Sequence, residues 1–122
     1  VSVRSDIEER PPLELSYRIL PDGRAVVFLG GELDIVSAET AVGYVRDVID
    51  GRRGPVVVDL RSLEYCDAHG LRALARMSVY AEQSGCPFRL SSPSLSIIRI
   101  LRITGLEHRF PLFQAHAQPI LE

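Results

Sequence analysis

Three β-branched residues in a row, Val56, Val57 and Val58, follow a Gly54-Pro55 break and lead into Asp59 and Leu60. Successive side chains of a strand point to opposite faces of its sheet, so a strand with one wet face must alternate apolar with polar residues. This run offers nothing to water on either side. It is expected to be a strand covered on both faces, inside a sheet whose connections cross over through helices.

The rest of the chain supplies the elements such a sheet needs. Leu13, Leu15, Tyr17 and Ile19 alternate with Glu14, Ser16 and Arg18, a period of two that marks a strand with one wet face. Pro21, Asp22 and Gly23 turn the chain into a second apolar run, Ala25 to Leu29, so an antiparallel leading hairpin is the simplest pairing. Between Ser37 and Asp50, Ala38, Ala41, Val42, Val45, Val48 and Ile49 recur at spacings of three and four, one buried helical face closed by Gly51. After a connection from Arg61 to Cys66, Leu71, Leu74, Ala75 and Ser78 repeat at helical spacing, with Asp67 as cap and Arg72, Arg76 and Glu82 for solvent. Gly85 ends that helix, Pro87 to Leu90 gives a short strand, and Ser91, Ser92, Pro93 and Ser94 form a capping turn. A third helix is expected from about Leu95 to Thr104, its core face formed by Leu95, Ile98 and Leu101 with Ile97 on the flank and Gly105 as its left-handed stop. Phe110, Leu112 and Phe113 suggest a final short strand.

Residues 1–12 end in Arg10-Pro11-Pro12 without apolar periodicity and read as a flexible arm, leaving 13–122 as one domain. The order strand, strand, helix, strand, helix, strand, helix implies an α/β domain with a mixed, mostly parallel sheet and helices packed against it. At 122 residues one core is the natural count.

A net charge of −2 gives no reason to expect direct nucleic-acid binding or attraction to acidic lipid. The longest apolar run is a few residues, so no membrane insertion is expected and the location implied is cytoplasmic. Cys66 and Cys86 lack the spacing of a zinc site or a CxxC motif. The helix between them, about 16 residues at ~1.5 Å rise, holds their ends roughly 24 Å apart, and a disulfide needs Cα atoms within about 7 Å. Both are expected to be free thiols. Gly30-Gly31 leads into Glu32-Leu33 instead of a phosphate-loop pattern, His69, His108 and His116 share no metal-ligand spacing, and no serine sits in a GxSxG turn. An enzyme reading therefore finds no support, and neither does a cofactor.

The polar residues that remain gather at one edge. Loops leaving the carboxyl ends of parallel strands lie together, where helix N-termini point free amides outward. Those loops carry Glu32 and Asp34, then Asp67, Ala68, His69 and Gly70, then Ser91, Ser92 and Ser94. Any binding function belongs on that edge.

Gly31-Glu32-Leu33-Asp34 ahead of a helix, Val57-Val58-Asp59-Leu60 leading to Asp67-Ala68-His69-Gly70-Leu71, and Leu101-Arg102-Ile103-Thr104-Gly105-Leu106 occur in order across residues 13–113. Together they resemble the successive signatures of STAS domains, particularly those of bacterial anti-sigma-factor antagonists. The resemblance implies a non-catalytic protein that binds an anti-sigma factor of the GHKL serine-kinase type and so frees a sigma factor for transcription. It also implies a partner surface over Asp34, Asp67, Ala68, His69, Gly70, Leu71 and Arg72. In that family the loop before the second helix reads Asp-Ser-Ser/Thr-Gly, and the residue before the glycine is phosphorylated by the partner kinase. Here His69 stands at that phosphoacceptor position and Ala68 precedes it, so neither hydroxyl is present. The usual switch is expected to be missing, with Ser91 and Ser92 as alternative phosphoacceptors on the same edge. Asp34 and Asp67 match acidic positions flanking the family's phosphorylation site, and both also suit plain helix capping. The runner-up is a STAS scaffold or regulatory subunit of a signalling assembly or transporter. Family members commonly finish with a further amphipathic helix, whereas Ala115 to Glu122 is short and contains Pro119. Thin cover over the first strands would leave an apolar patch for a homodimer.

Overall fold

The computed structural model describes residues 12–52 and 54–106. Its organising element is a nine-residue strand, β2 (Ala25–Leu33), which pairs on both sides. On one side lies β1 (Glu14–Ile19), antiparallel and in register from Glu14 opposite Gly30 to Ile19 opposite Ala25. The turn between them is closed by Gly23 N donating to the Leu20 carbonyl at 2.9 Å, with Gly23 at φ 94°, a conformation that glycine adopts without a Cβ penalty.

The other side of β2 is shared by two parallel neighbours. Its first half pairs with β3 (Val56–Asp59), Val26 opposite Val57, and its second half with β4 (Leu63–Cys66), Leu33 opposite Cys66. The handover falls at a register shift between Gly31 and Glu32, where Gly31 takes φ 79°. Gly31 pairs with Leu63 and Glu32 with Tyr65, so the extra residue is Glu64 and the bulge bends β4 against the end of β2. Beyond β3 lies β5 (Phe88–Ser91), parallel, so the sheet runs β1-β2-β3-β5 with β4 beside the far end of β2.

Three helices pack on this sheet: α1 (Ala38–Asp50), α2 (Ala68–Gln83) and α3 (Leu95–Thr104). Ala25, Val27, Leu29, Val56, Val58 and Leu90 form one core with Val42 and Val45 of α1, Leu71, Leu74 and Met77 of α2, and Leu101 of α3. Val26 and Val57 point the other way by strand alternation and are buried as well, so β3 is covered on both faces as the valine run requires. A fold with an antiparallel leading hairpin, parallel strands beyond it and helices against the sheet is what the sequence implies.

Two local expectations need correction. The stretch from Arg61 to Cys66 is not all connection, because Leu63–Cys66 forms β4. Four residues next to a bulge show no period of two, and the buried ones are Leu63 and Cys66 with Glu64 and Tyr65 exposed between them. In α3 the inward face is Ile97 and Leu101, while Leu95 is exposed and Ile98 half-buried. The Ser94 Oγ accepts from Ile97 N at 3.2 Å and starts the helix where the sequence places it, so the difference is one of rotation: Ile97 and Leu101, four apart, form the inward stripe, and Leu95 lies on the far side of the axis.

On β1, Leu15 is half-buried against the core, and Tyr17 and Ile19 are about half exposed, with the Tyr17 ring edge-on to Tyr44 of α1. The arm from residue 1, the strand expected at Phe110 to Phe113 and the tail from Ala115 lie outside the described residues.

Candidate functional site

All three helices begin where parallel strands end, so their N-termini share one edge of the sheet. The first loop follows β2. The Asp34 Oδ1 accepts from Val36 N and Ser37 N at 3.0 Å each, and Ser37 Oγ, 3.1 Å from the same carboxylate oxygen, donates at 3.0 Å to the Glu32 carbonyl. Partial burial pushes the Asp34 carboxyl up, but the hydrogen bonds from Ser37 and Val36 outweigh it and hold it below the usual carboxylate value. Asp34 therefore shapes the β2–α1 loop, and the cap position of α1 falls to Ser37, whose side chain makes no cap bond to the helix.

The second loop follows β4. Asp67 Oδ1 accepts from Gly70 N at 2.9 Å, a cap that satisfies one of the orphan amides of α2. The Asp67 amide donates to the Leu33 carbonyl at 3.2 Å, which ties the loop to the end of β2. Gly70 then passes so close to that strand that a Cβ built on it would stand 2.3 Å from the Leu33 carbonyl oxygen and 2.8 Å from the Cys66 sulfur. No side chain fits there. Leu71 follows as a core anchor, 1% exposed.

These constraints lift the neighbouring residues outward. His69 is 48% exposed, its Nδ1 3.9 Å from Asp67 Oδ2, and Ala68 and Arg72 are exposed beside it. Of the residues expected on a partner surface, Ala68, His69 and Arg72 thus present themselves to solvent. Gly70 and Leu71 do not; they support that surface from beneath.

The third loop follows β5. Ser91 is 1% exposed, and its Oγ lies 3.2 Å from that of Ser92. Ser92 is half-buried at φ 57°, with Arg61 Nη2 3.5 Å from its hydroxyl. Arg61 also lies 3.5 Å from the carboxylate of Asp59, which is buried at the end of β3 and accepts from Arg61 N at 2.8 Å. Of the two alternative phosphoacceptors the sequence offers, Ser91 is the buried one. Ser92 is the more accessible of the two.

Sequence reasoning missed two residues on this edge and assigned a third to the core. Ile35 is 62% exposed, Val36 85% and Leu95 75%, large apolar side chains in a loop and a helix start at the same sheet edge as His69. For Ile35 and Val36 a signal was available: neither fits the periodicity of the element next to it, which is how apolar residues kept for something outside the fold appear in a sequence. Below the surface, Cys66 is a buried free thiol pushed up to about 12 by desolvation and then by the Asp67 charge, which makes it an inert packing group. Among the described residues, no three His, Cys, Asp or Glu side chains group as metal ligands, and no helix is long and apolar enough to cross a membrane.

The sheet order, the bulged pairing of β4 with β2 and the loop from Asp67 to Leu71 define a domain class that the sequence itself carries. The family model of the STAS domain matches residues 16–118, and the chain belongs to that family. Its relatives are anti-sigma-factor antagonists at modest identity. The chain is 29% identical over 92 residues to the anti-sigma-F factor antagonist RsfB of Mycobacterium tuberculosis, covering 75% of each protein. Among solved structures it resembles an anti-sigma factor antagonist from Mycobacterium paratuberculosis, with a TM-score of 0.71, 26% identity, and coverage of 90% of this chain and 88% of that one. The same fold, at 16% identity and a TM-score of 0.72, recurs in the murine anion transporter Slc26a9, where it covers 98% of this chain and 23% of the transporter.

Proposed function

We propose that this protein is an anti-sigma-factor antagonist whose docking surface is the edge bearing His69, Ala68, Arg72, Ile35, Val36 and Leu95. The observation that carries this reading is the exposed first turn of α2, where a half-exposed imidazole stands on a backbone locked by the Asp67 cap and the Gly70 approach. Exposed apolar side chains beside a polar centre are the composition of an interface core with a polar rim. The shared family and the RsfB relative support an anti-sigma factor as the partner class, and we read that factor as one of the GHKL serine-kinase type. The role is one of binding, without catalysis or a cofactor.

Phosphorylation would add about −1.5 to −2 charges to a serine or threonine at this loop, enough to expel a partner by repulsion and desolvation. At position 69 this chain has an imidazole, and Ala68 brings no hydroxyl either. A kinase site that aligns a hydroxyl with a phosphoryl donor has nothing to act on at positions 68 and 69, so on this reading the protein binds constitutively, and stable phosphate on Ser92 would show a switch that has moved. The transporter-subunit reading draws on fold likeness alone.

The test is calorimetry with the anti-sigma factor captured from the source cell. His69→Glu, which brings in a permanent negative charge without touching the core, should weaken binding at least tenfold with the circular dichroism spectrum unchanged. His69→Ser should keep the affinity and become a kinase substrate. Unchanged affinity for the glutamate variant would remove this loop from the interface, and phosphate on His69 after incubation with kinase and ATP would overturn the constitutive reading.

A further inference from the structure

The opposite end of the sheet, where β2, β3 and β5 begin, holds an open cleft of about 240 Å³. Pro55, Val56, Val57, Pro87 and Phe88 wall it, and Arg24 and Arg89 complete the lining. The cleft lies at the amino ends of the strands, away from the loops around His69.

The lining is apolar for a reason that also limits what it can bind. Pro55 and Pro87 have no amide hydrogen to donate, and their carbonyls are already engaged, by Ala25 N and Val56 N at 2.9 Å each. A ligand rich in hydroxyls or ring nitrogens, a sugar or a nucleobase, would bury polar atoms here without partners at these positions and be penalised for each one. An apolar body loses nothing. The volume is that of roughly eight liquid waters at about 30 Å³ each, which suits a body of about ten non-hydrogen atoms.

The two arginines set the charge. Arg24 is partly compensated within its own turn, its Nε 2.9 Å from Asp22 Oδ2. Arg89 is exposed on the edge strand, and among the described residues no carboxylate pairs with it. Arg52 donates to the Gly23 carbonyl beside Arg24 and reinforces the positive sign of this end. One guanidinium lining the cleft is thus left for one negative charge, and its planar fork matches a carboxylate.

We propose that this cleft is a binding site for a small organic monoanion, a carboxylate carried on an apolar chain or ring of about ten non-hydrogen atoms. The site is independent of the docking surface around His69 and stands or falls separately from it.

The experiment uses octanoate as the probe, titrated into the isotopically labelled 122-residue chain and followed by backbone amide chemical shifts. Saturable shifts centred on Val56, Val57, Phe88 and Arg89 are expected. 1-Octanol, the same chain without the charge, should bind at least tenfold more weakly. Arg89→Glu, an exposed edge-strand change that leaves the core untouched, should weaken octanoate at least tenfold and leave octanol within twofold. No saturable shifts at these residues, or shifts centred on another surface, would overturn the site. Octanol binding as tightly as octanoate, or octanoate binding equally to the Arg89→Glu variant, would overturn the monoanion.

Discussion

Replacing Gly70 by alanine sets two effects of opposite sign against each other, and the structure decides between them. In an unobstructed helix the change should stabilise, because glycine gives up more backbone freedom on folding, roughly 0.5–1 kcal/mol relative to alanine. Here the new Cβ would lie 2.3 Å from the Leu33 carbonyl oxygen, 3.0 Å from the carbon of the same group and 2.8 Å from the Cys66 sulfur. Non-bonded carbon atoms sit comfortably at about 3.5–4.0 Å, so the contact is short by roughly 1 Å. Neither neighbour yields easily. The carbonyl belongs to β2 and accepts from Asp67 N, and α2 is held in place by the Asp67 cap on Gly70 N and by Leu71 in the core. Overpacking of this kind typically costs about 1–3 kcal/mol, and the upper end is expected where backbone is struck. With a urea slope of about 1–3 kcal/mol per molar, the unfolding midpoint should fall by roughly 1–2 M. Cys66→Ala in the same background should recover only a minor part, since the carbonyl remains. A midpoint for Gly70→Ala equal to or above that of the parent would refute the close approach, and so would full rescue by Cys66→Ala.

Asp34→Ala should lower stability by about 1 kcal/mol through loss of the bonds to Val36 and Ser37, while Asp34→Asn keeps an acceptor and loses less, as urea titrations would measure. Because the Asp34 carboxyl sits below its ordinary value, its contribution is complete above the ordinary value and is lost as pH falls through the lowered one, so the gap between parent and Asp34→Ala should narrow in acid. Cys66 carries the opposite sign. Its thiol, pushed up to about 12, stays protonated in the folded chain while the unfolded chain ionises, so stability should fall as pH rises from about 9, and Cys66→Ala should flatten that slope in paired midpoints at pH 8 and 10. Ser92→Val, a β-branched residue forced to φ 57°, should cost about 1–2 kcal/mol by thermal unfolding, whereas Ser92→Asn should be close to neutral.

What could be read in the sequence was whatever depends on periodicity over many residues. The α1 positions from Ala38 to Ile49 are the buried ones, and the valine run is a strand enclosed on both faces. Asp67 as the cap of α2 and Gly105 as the left-handed stop of α3 were legible because their chemistry is local. β4 escaped because its four residues owe their strand conformation to β2, a partner far away in sequence, and the extra residue at Glu64 breaks the alternation that would have signalled it. Ser91 looked like a turn serine, yet its main chain extends β5 opposite Asp59, and burial follows from the sheet instead of from the residue type. The cleft at the other end was invisible, since Arg24, Val57 and Arg89 meet only through the strand order.

The same contrast explains how position 69 can hold a histidine in a sound STAS fold. The tasks that fix the loop fall to Asp67, which caps, to Gly70, which clears the β2 carbonyl, and to Leu71, which anchors the turn in the core. None of them needs the side chain at 69, which projects half-exposed from the rigid turn they make. Residue 69 can therefore change its chemistry with little consequence for stability, while any change at 70 strikes backbone. A side chain without a hydroxyl at 69 leaves in position every backbone constraint that holds this loop. On the proposed reading binding and switching are separable properties of one loop: the first belongs to its frame together with Ile35, Val36 and Leu95, and the second to a single side chain.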